Sequence, residues 1–204
     1  VWAKTRYTGF GGAVDRIVEF LFEVGILKRT PRSGWQFLDG GSESVAEHVY
    51  RTAMIAFVLA RLEGTVDTDK VLRLALAHDL PEARTGDLNY VNQKYLTADE
   101  TGAAADMTRR LPFGGELREL MAEYRDEATP EAIIAHDADQ LEMLLELKEK
   151  LDAGCQAADD WTPFVLRRLR SDTAKCLARK ILEGDSASWW FDRDSEWWVR
   201  GGKG

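Results

Sequence analysis

The segment "ALAHDLPEARTGD", residues 75–87, sets a histidine beside an aspartate inside an apolar run, with two more acids at Glu82 and Asp87. That histidine is one of only three in a chain of 204 residues. Imidazole and carboxylate groups together are ligands for a divalent cation, and a metal site built in a helical protein needs them from several helices converging on one pocket. His48 and the pair His78–Asp79 fall in two separate predicted helices, which is that kind of supply. Adjacent positions on a regular helix point about 100° apart, so His78 and Asp79 reach one ion only near a helix end. Pro81 provides that end, because proline removes an amide donor and disfavours helical geometry at Leu80. Glu82, four residues after His78, shares its face if helical geometry persists, and a carboxylate there can orient or deprotonate a water on the ion.

A fourth ligand is expected from "IIAHDADQLEMLLEL", residues 133–147, which offers His136, Asp137 and Asp139. The apolar stripe Ile133, Ile134, Leu141, Leu144 and Leu145 brackets Asp137, and Asp139 falls toward the other side. A carboxylate on a buried stripe needs a partner, so periodicity alone nominates Asp137.

Helical period runs through most of the chain, with few strand-like alternations, and predicts an all-α protein. The first helix is expected from Ala13 to Leu27, where Val14, Ile17, Val18, Leu21 and Val24 recur at spacings of three and four. "KRTPRSGWQFLDGG" then reads as a loop punctuated by Pro31, Gly34, Gly40 and Gly41. Ser44-Val45-Ala46-Glu47 has the form of a capping box and puts His48 in the first turn of a helix running to about Arg61. A shorter helix is expected over Thr68–Leu80, then an ordered loop at "TGDLNYVNQKY", then helices near 98–110 and 115–125. Thr129-Pro130 is an N-cap and first-position pair for a long helix to about Leu151, and a last helix is expected over Pro163–Leu182. The stretch from residue 186 to the end carries four tryptophans and reads as an aromatic tail docked on the domain or on a partner.

Composition bounds the function. Forty-five per cent of residues are hydrophobic and 30% charged, which fits one domain spanning residues 1–204. A net charge of -8 and the lack of a basic block argue against a polymeric nucleic acid as partner. No apolar stretch approaches the roughly 20 residues of a membrane helix. Cys155 and Cys176 fit no zinc or disulfide pattern, and the acidic composition fits a reducing cytoplasm. Neither a glycine-rich phosphate loop nor a Ser-His-Asp order is present.

The segments "ESVAEHVYRTAMIA", "ALAHDLPEARTGD" and "DADQLEM", in that order and spacing and with "PRSGW" upstream, resemble the HD-domain metal-dependent phosphohydrolases. The resemblance covers Phe20 to Leu147 and points to the 5'-deoxynucleotidase branch of that family. It implies an all-α helical bundle of the HD-domain, phosphodiesterase-like type. It also implies a divalent cation (Mn, Co or Mg) held by His48, His78, Asp79 and a later aspartate in an A-D-x-L setting. Ala138-Asp139-Gln140-Leu141 matches that setting and places the last ligand at Asp139, with Asp137 as the alternative. His136 stands where relatives often have lysine and is expected to face solvent or support a ligand.

By the same resemblance, Glu82 matches the acid that manages the attacking water, Asp87 a residue near the sugar, and Trp35 an aromatic that packs against the sugar and disfavours a 2'-hydroxyl. Arg32 takes the phosphate contact, since Gly34 occupies the position where bacterial enzymes carry an arginine. The implied activity is hydrolysis of deoxyribonucleoside 5'-monophosphates by a cation-activated water, in a homodimer. A different phosphoester, or a non-catalytic role in binding metal or nucleotide, is the alternative reading.

Overall fold

The computed structural model describes residues 11–38 and 43–201. Residues 39–42, which include Gly40 and Gly41 of the expected loop, lie outside the described residues, as do residues 1–10 and 202–204. In chain order the helices are α1 (Gly11–Val24), α2 (Val45–Glu63), α3 (Thr68–Ala77), the single turn α4 (Glu82–Thr85), α5 (Glu100–Thr108), α6 (Gly114–Asp126), α7 (Pro130–Asp152), α8 (Thr162–Arg168), α9 (Asp172–Glu183) and the short α10 (Trp197–Arg200). Among the described residues no strand forms, and Pro31 and Ser44 make one isolated antiparallel bridge. The chain is all-α.

α7 is the axis of the bundle and packs against α2, α3, α6, α8 and α9. Its inner face is Ala132, Ala135, Ala138, Leu141, Leu144 and Leu147, all essentially buried. Three alanines in its first half allow close helix approach, because interaxial distance follows the side chains at the contact. α2 answers with Ala56, Leu59 and Ala60, and α3 with Val71, Leu74 and Ala75. Removing this apolar surface from water is the main force holding the three helices together.

The starts of the helices follow the expected chemistry. Ser44 Oγ accepts from the Glu47 amide at 3.3 Å while Glu47 Oε2 accepts from the Ser44 amide at 2.7 Å, a complete capping box. Asp67 caps α3 and Thr129 caps α7 with Pro130 at its first position. Gly64 ends α2 at φ 67°, a left-handed geometry suited to glycine.

Three expected elements differ in extent. α1 stops at Val24 and tightens into a 3-10 turn, Gly25–Lys28, rather than running as one helix to Leu27. α3 stops at Ala77, short of Leu80. The single helix expected over Pro163–Leu182 is two helices, α8 and α9, broken at Leu169–Ser171. The break has a cause in α7: Asp137 accepts from the backbone amides of Arg170 at 2.8 Å and Ser171 at 2.7 Å. Ser171 then caps α9 through the Ala174 amide. The tail folds back on itself: Trp190, Phe191 and Trp198 pack ring against ring, and Trp189 is 85% exposed.

Candidate metal centre

The capping box fixes the first turn of α2, which buries His48 completely between α2 and α7. Its Nδ1 meets Glu142 Oε2 at 2.6 Å, and Arg51 holds the other oxygen of that carboxylate at 3.0 Å and 2.8 Å. A carboxylate partner can only accept, so Nδ1 carries the proton and Nε2 is turned toward Asp139 Oδ1, 3.1 Å away, and Asp79 Oδ2, 3.6 Å away. His78 is oriented in the same manner: Nδ1 donates to the Ala75 carbonyl at 2.8 Å, leaving Nε2 3.2 Å from Asp79 Oδ2.

The chain after α3 explains how neighbours His78 and Asp79 serve one centre. Beyond Ala77 the ladder tightens to 3-10-type bonds, Leu80 to Ala77 at 3.2 Å and Glu82 to Asp79 at 3.0 Å. Pro81, at φ -59° and ψ -24°, breaks the α-helical ladder but keeps the chain turning, and Glu82 opens α4 on the same side as the cluster. Asp139 comes from α7, where its Oδ2 accepts from Tyr124 Oη at 3.2 Å and from Gln140 Nε2 at 2.9 Å.

Among the described residues, His48, His78 and Asp139 bring ligand atoms within 4.8 Å of one another, and Asp79 approaches both histidines. His78 Nε2, Asp79 Oδ2 and Glu82 Oε2 are buried with no hydrogen-bond partner. Buried polar atoms left unpaired are costly, and a cation held between His78 Nε2 and Asp79 Oδ2 would satisfy both. Two imidazoles and two carboxylates suit a hard or borderline divalent ion. The residues present therefore fit the divalent metal that the sequence implies.

The charge pattern agrees. Burial pushes the Glu82 carboxyl up to about 9, with the nearby charges of Asp79 and Asp87 adding to it. His48 is pushed up to about 10, its burial being outweighed by the bonds to Asp139 and Glu142. Burial likewise opposes ionisation of Asp139, but the His48 bond and nearby positive groups hold it well below the usual carboxylate range. Arg32 Nη1 lies 3.9 Å from both Asp79 and Asp87, and the Ser33 amide donates to Asp87 Oδ2 at 2.8 Å. The cluster opens on a cavity of about 560 Å³ whose wall includes Arg32, His78, Asp79, Glu82, Asp87 and Asp139.

Trp35 stands apart from this group. It is buried, its Nε1 donates to Glu43 at 2.6 Å, Trp161 stacks on it at 6.0 Å, and it lines a neighbouring cavity. Asp137 is fully buried and spends both oxygens on the α8–α9 break, so the centre receives Asp139 from α7 and not Asp137. His136 lines the cavity wall 3.9 Å from Glu127, outside the cluster. Arg84 pairs with Glu23 and Asp106, and Arg51 with Glu142.

Sequence reasoning missed Glu142 and Tyr124. Glu142 had a signal: it is an acid on the apolar face of α7, the same argument that singled out Asp137. Tyr124 of α6 had none, since its role comes from helix packing that sets its ring 4.8 Å from His78.

The HD-domain family profile matches residues 24–180. The chain belongs to the HD-domain family. The human 5'-deoxynucleotidase HDDC2 is 34% identical over 156 residues, covering 74% of each protein. A solved structure of a conserved hypothetical protein from Pyrococcus furiosus superposes with a TM-score of 0.70 at 28% identity, over 82% of this chain and 99% of that one. A predicted metal-dependent phosphohydrolase from Magnetospirillum magnetotacticum gives 0.68 at 26% identity, over 84% and 91%. The HD pair of this chain is His78–Asp79, and the helices that carry it and its companions, α2, α3 and α7, all lie inside the matched span.

Proposed function

We propose that this HD-domain chain is a metal-dependent phosphomonoesterase that hydrolyses deoxyribonucleoside 5'-monophosphates to deoxynucleoside and phosphate. The observation that carries the reading is the convergence of unpaired His78 Nε2, Asp79 Oδ2 and Glu82 Oε2 on a cavity that also presents Arg32. The 5'-deoxynucleotidase relatives support the substrate class. His48, His78, Asp79 and Asp139 hold the divalent cation, which is Mn, Co or Mg. When bound, the cation supplies Lewis acidity toward phosphate and water.

The remaining work falls to this chain's own side chains. Glu82, set in the cavity wall beside the ligands, takes the proton from the attacking water and returns one to the leaving oxygen. Arg32, fixed between Asp79 and Asp87, faces the phosphate. Asp87 meets the sugar, and Trp35 backs the side on which a 2'-hydroxyl would project. Among the described residues neither a serine nor a cysteine lines the cavity, which fits direct attack by water.

Among the described residues no helix is long and apolar enough to cross a membrane. Separately, the acidic charge and the free thiols of Cys155 and Cys176 support a cytoplasmic enzyme. The exposed apolar side chains of α2 support a homodimer.

The test is phosphate release from the five common deoxynucleoside monophosphates and their ribose counterparts, with Mn, Co and Mg supplied in turn after chelation. Deoxynucleotides should turn over with at least one metal, and ribonucleotides more slowly. Absence of metal-dependent turnover of any deoxynucleotide overturns the proposal.

A further inference from the structure

Beside the metal cavity lies a second one of about 690 Å³, within the roughly 300–1,000 Å³ usual for small-molecule pockets. The two share Arg32, Asp87, Gln93, Met143 and Arg168 and so lie side by side. Their walls differ in kind. The metal cavity mixes charged groups with small and aliphatic side chains such as Pro81, Ala104, Met121 and Met143, whereas the second presents aromatic rings from three separate places. Trp35 and Phe37 come from the 3-10 turn Ser33–Phe37, Tyr90 from the loop after Asp87, and Trp161 and Phe164 from the start of α8.

These rings are not a closed core. Phe37, Tyr90 and Phe164 are 48%, 73% and 57% exposed, so apolar surface is held open to water around the mouth of a cavity. Trp161 stacks on Trp35 at an interplanar angle of 17°, and its ring passes 3.8 Å from where a side chain at Gly34 would begin. One polar group among them is unsatisfied: Asn89 is 6% exposed, its Oδ1 accepts from the amides of Val91 and Asn92, and its Nδ2 has no partner.

Flat apolar faces with one spare donor suit a planar heteroaromatic ring carrying acceptors. The order of the two cavities says which ring. Arg32 and Asp87 stand at the junction of the two cavities. In a nucleotide with phosphate at the histidine cluster and sugar at Asp87, the third part comes within reach of the aromatic cavity. Resting on the proposed activity, we propose that the aromatic cavity is the nucleobase subsite, with Trp161 and Phe164 as stacking surfaces and Asn89 Nδ2 as a donor to a ring acceptor. Neither aromatic belongs to the histidine and aspartate motifs.

The experiment compares dAMP with base-free 2-deoxyribose 5-phosphate in wild type, Trp161→Ala and Phe164→Ala. Loss of one stacking face costs about tenfold or more, so the ratio of kcat/KM for dAMP over the base-free substrate should fall by that factor in each variant. An unchanged ratio overturns the subsite, whether the two substrates are impaired equally or not at all. Phe164 is largely exposed, so its variant keeps the reading valid if loss of the Trp161 ring unsettles Trp35.

Calorimetric titration of the chelated protein with dAMP and with deoxyribose 5-phosphate measures the same preference without turnover. Wild type should bind dAMP more tightly, and both variants should lose that margin. Wild type that prefers dAMP in binding but hydrolyses neither compound leaves the subsite standing and overturns the proposed activity. Equal binding of the two compounds overturns the subsite.

Discussion

Glu82 sits where its own stability is poor. Its Oε2 is buried without a partner, and burial together with Asp79 and Asp87 pushes it up to about 9 from an ordinary 4.5. A carboxyl raised in the folded state contributes stability that is complete below its ordinary value and is lost as pH rises through the raised one. The chelated wild type should therefore lose stability between about pH 5 and about pH 9 on account of this group. Glu82→Gln keeps the shape and removes the charge. Its melting temperature in chelator should match wild type near pH 5 and exceed it increasingly toward pH 9. Its turnover with metal restored should fall by at least about a hundredfold. A variant that melts below wild type at pH 9, or one that keeps its turnover, contradicts the role. Stability gained as activity is lost marks a residue kept for chemistry.

At the scale of elements the two aspartates of α7 separate cleanly. Both are two residues apart on one helix, yet Asp137 binds two backbone amides at the α8–α9 break and Asp139 faces His48. Charged hydrogen bonds of this kind contribute about 1.5–3 kcal/mol each, so Asp137→Ala should destabilise the protein by roughly 3 kcal/mol while leaving the metal dissociation constant near wild type. Asp139→Ala should instead abolish metal binding, and it also costs stability in chelator because His48, Tyr124 and Gln140 lose a buried partner. Denaturant melts and metal titrations on the two variants read both quantities, and a shared loss of metal affinity would argue against the division.

The same pair shows what a sequence can and cannot say. Periodicity correctly put Asp137 on the buried stripe and demanded a partner for it. That partner is a pair of amides some 33 residues later, which appear only once the expected helix over 163–182 is broken. Resemblance favoured Asp139 through its A-D-x-L setting, a signal that helical pattern opposed. The capping box at Ser44, the cap at Thr129 and the turn at Pro81 were legible because each acts within four residues of itself. Glu142 behind His48 and Tyr124 beside His78 depend on contacts between helices, and local pattern carries little of that.

At the scale of the whole molecule, an apolar face is left exposed among the described residues. On α2, Tyr50, Met54, Phe57, Val58 and Leu62 are 72%, 51%, 43%, 44% and 58% exposed, at spacings of three and four that align them along one side of the helix. On α1, Val14, Val18, Leu21 and Phe22 add a second outward row. The rest of α2 packs on α7 and α3 and carries His48. Single exposed apolar residues are ordinary, but a row of five on one helix is the kind of surface that a partner would cover. A second copy of the chain is the partner that the proposed homodimer supplies, because a two-fold contact lets one apolar patch cover itself. Sedimentation equilibrium should then give a dimer at micromolar concentration. Met54→Glu and Phe57→Glu together should shift it to monomer with the helical content unchanged. A wild-type chain that sediments as a monomer at those concentrations rules out this face as a dimer contact. If the dimer forms and both glutamates leave it intact, the contact lies elsewhere, and the row on α2 is open to solvent in the assembled protein.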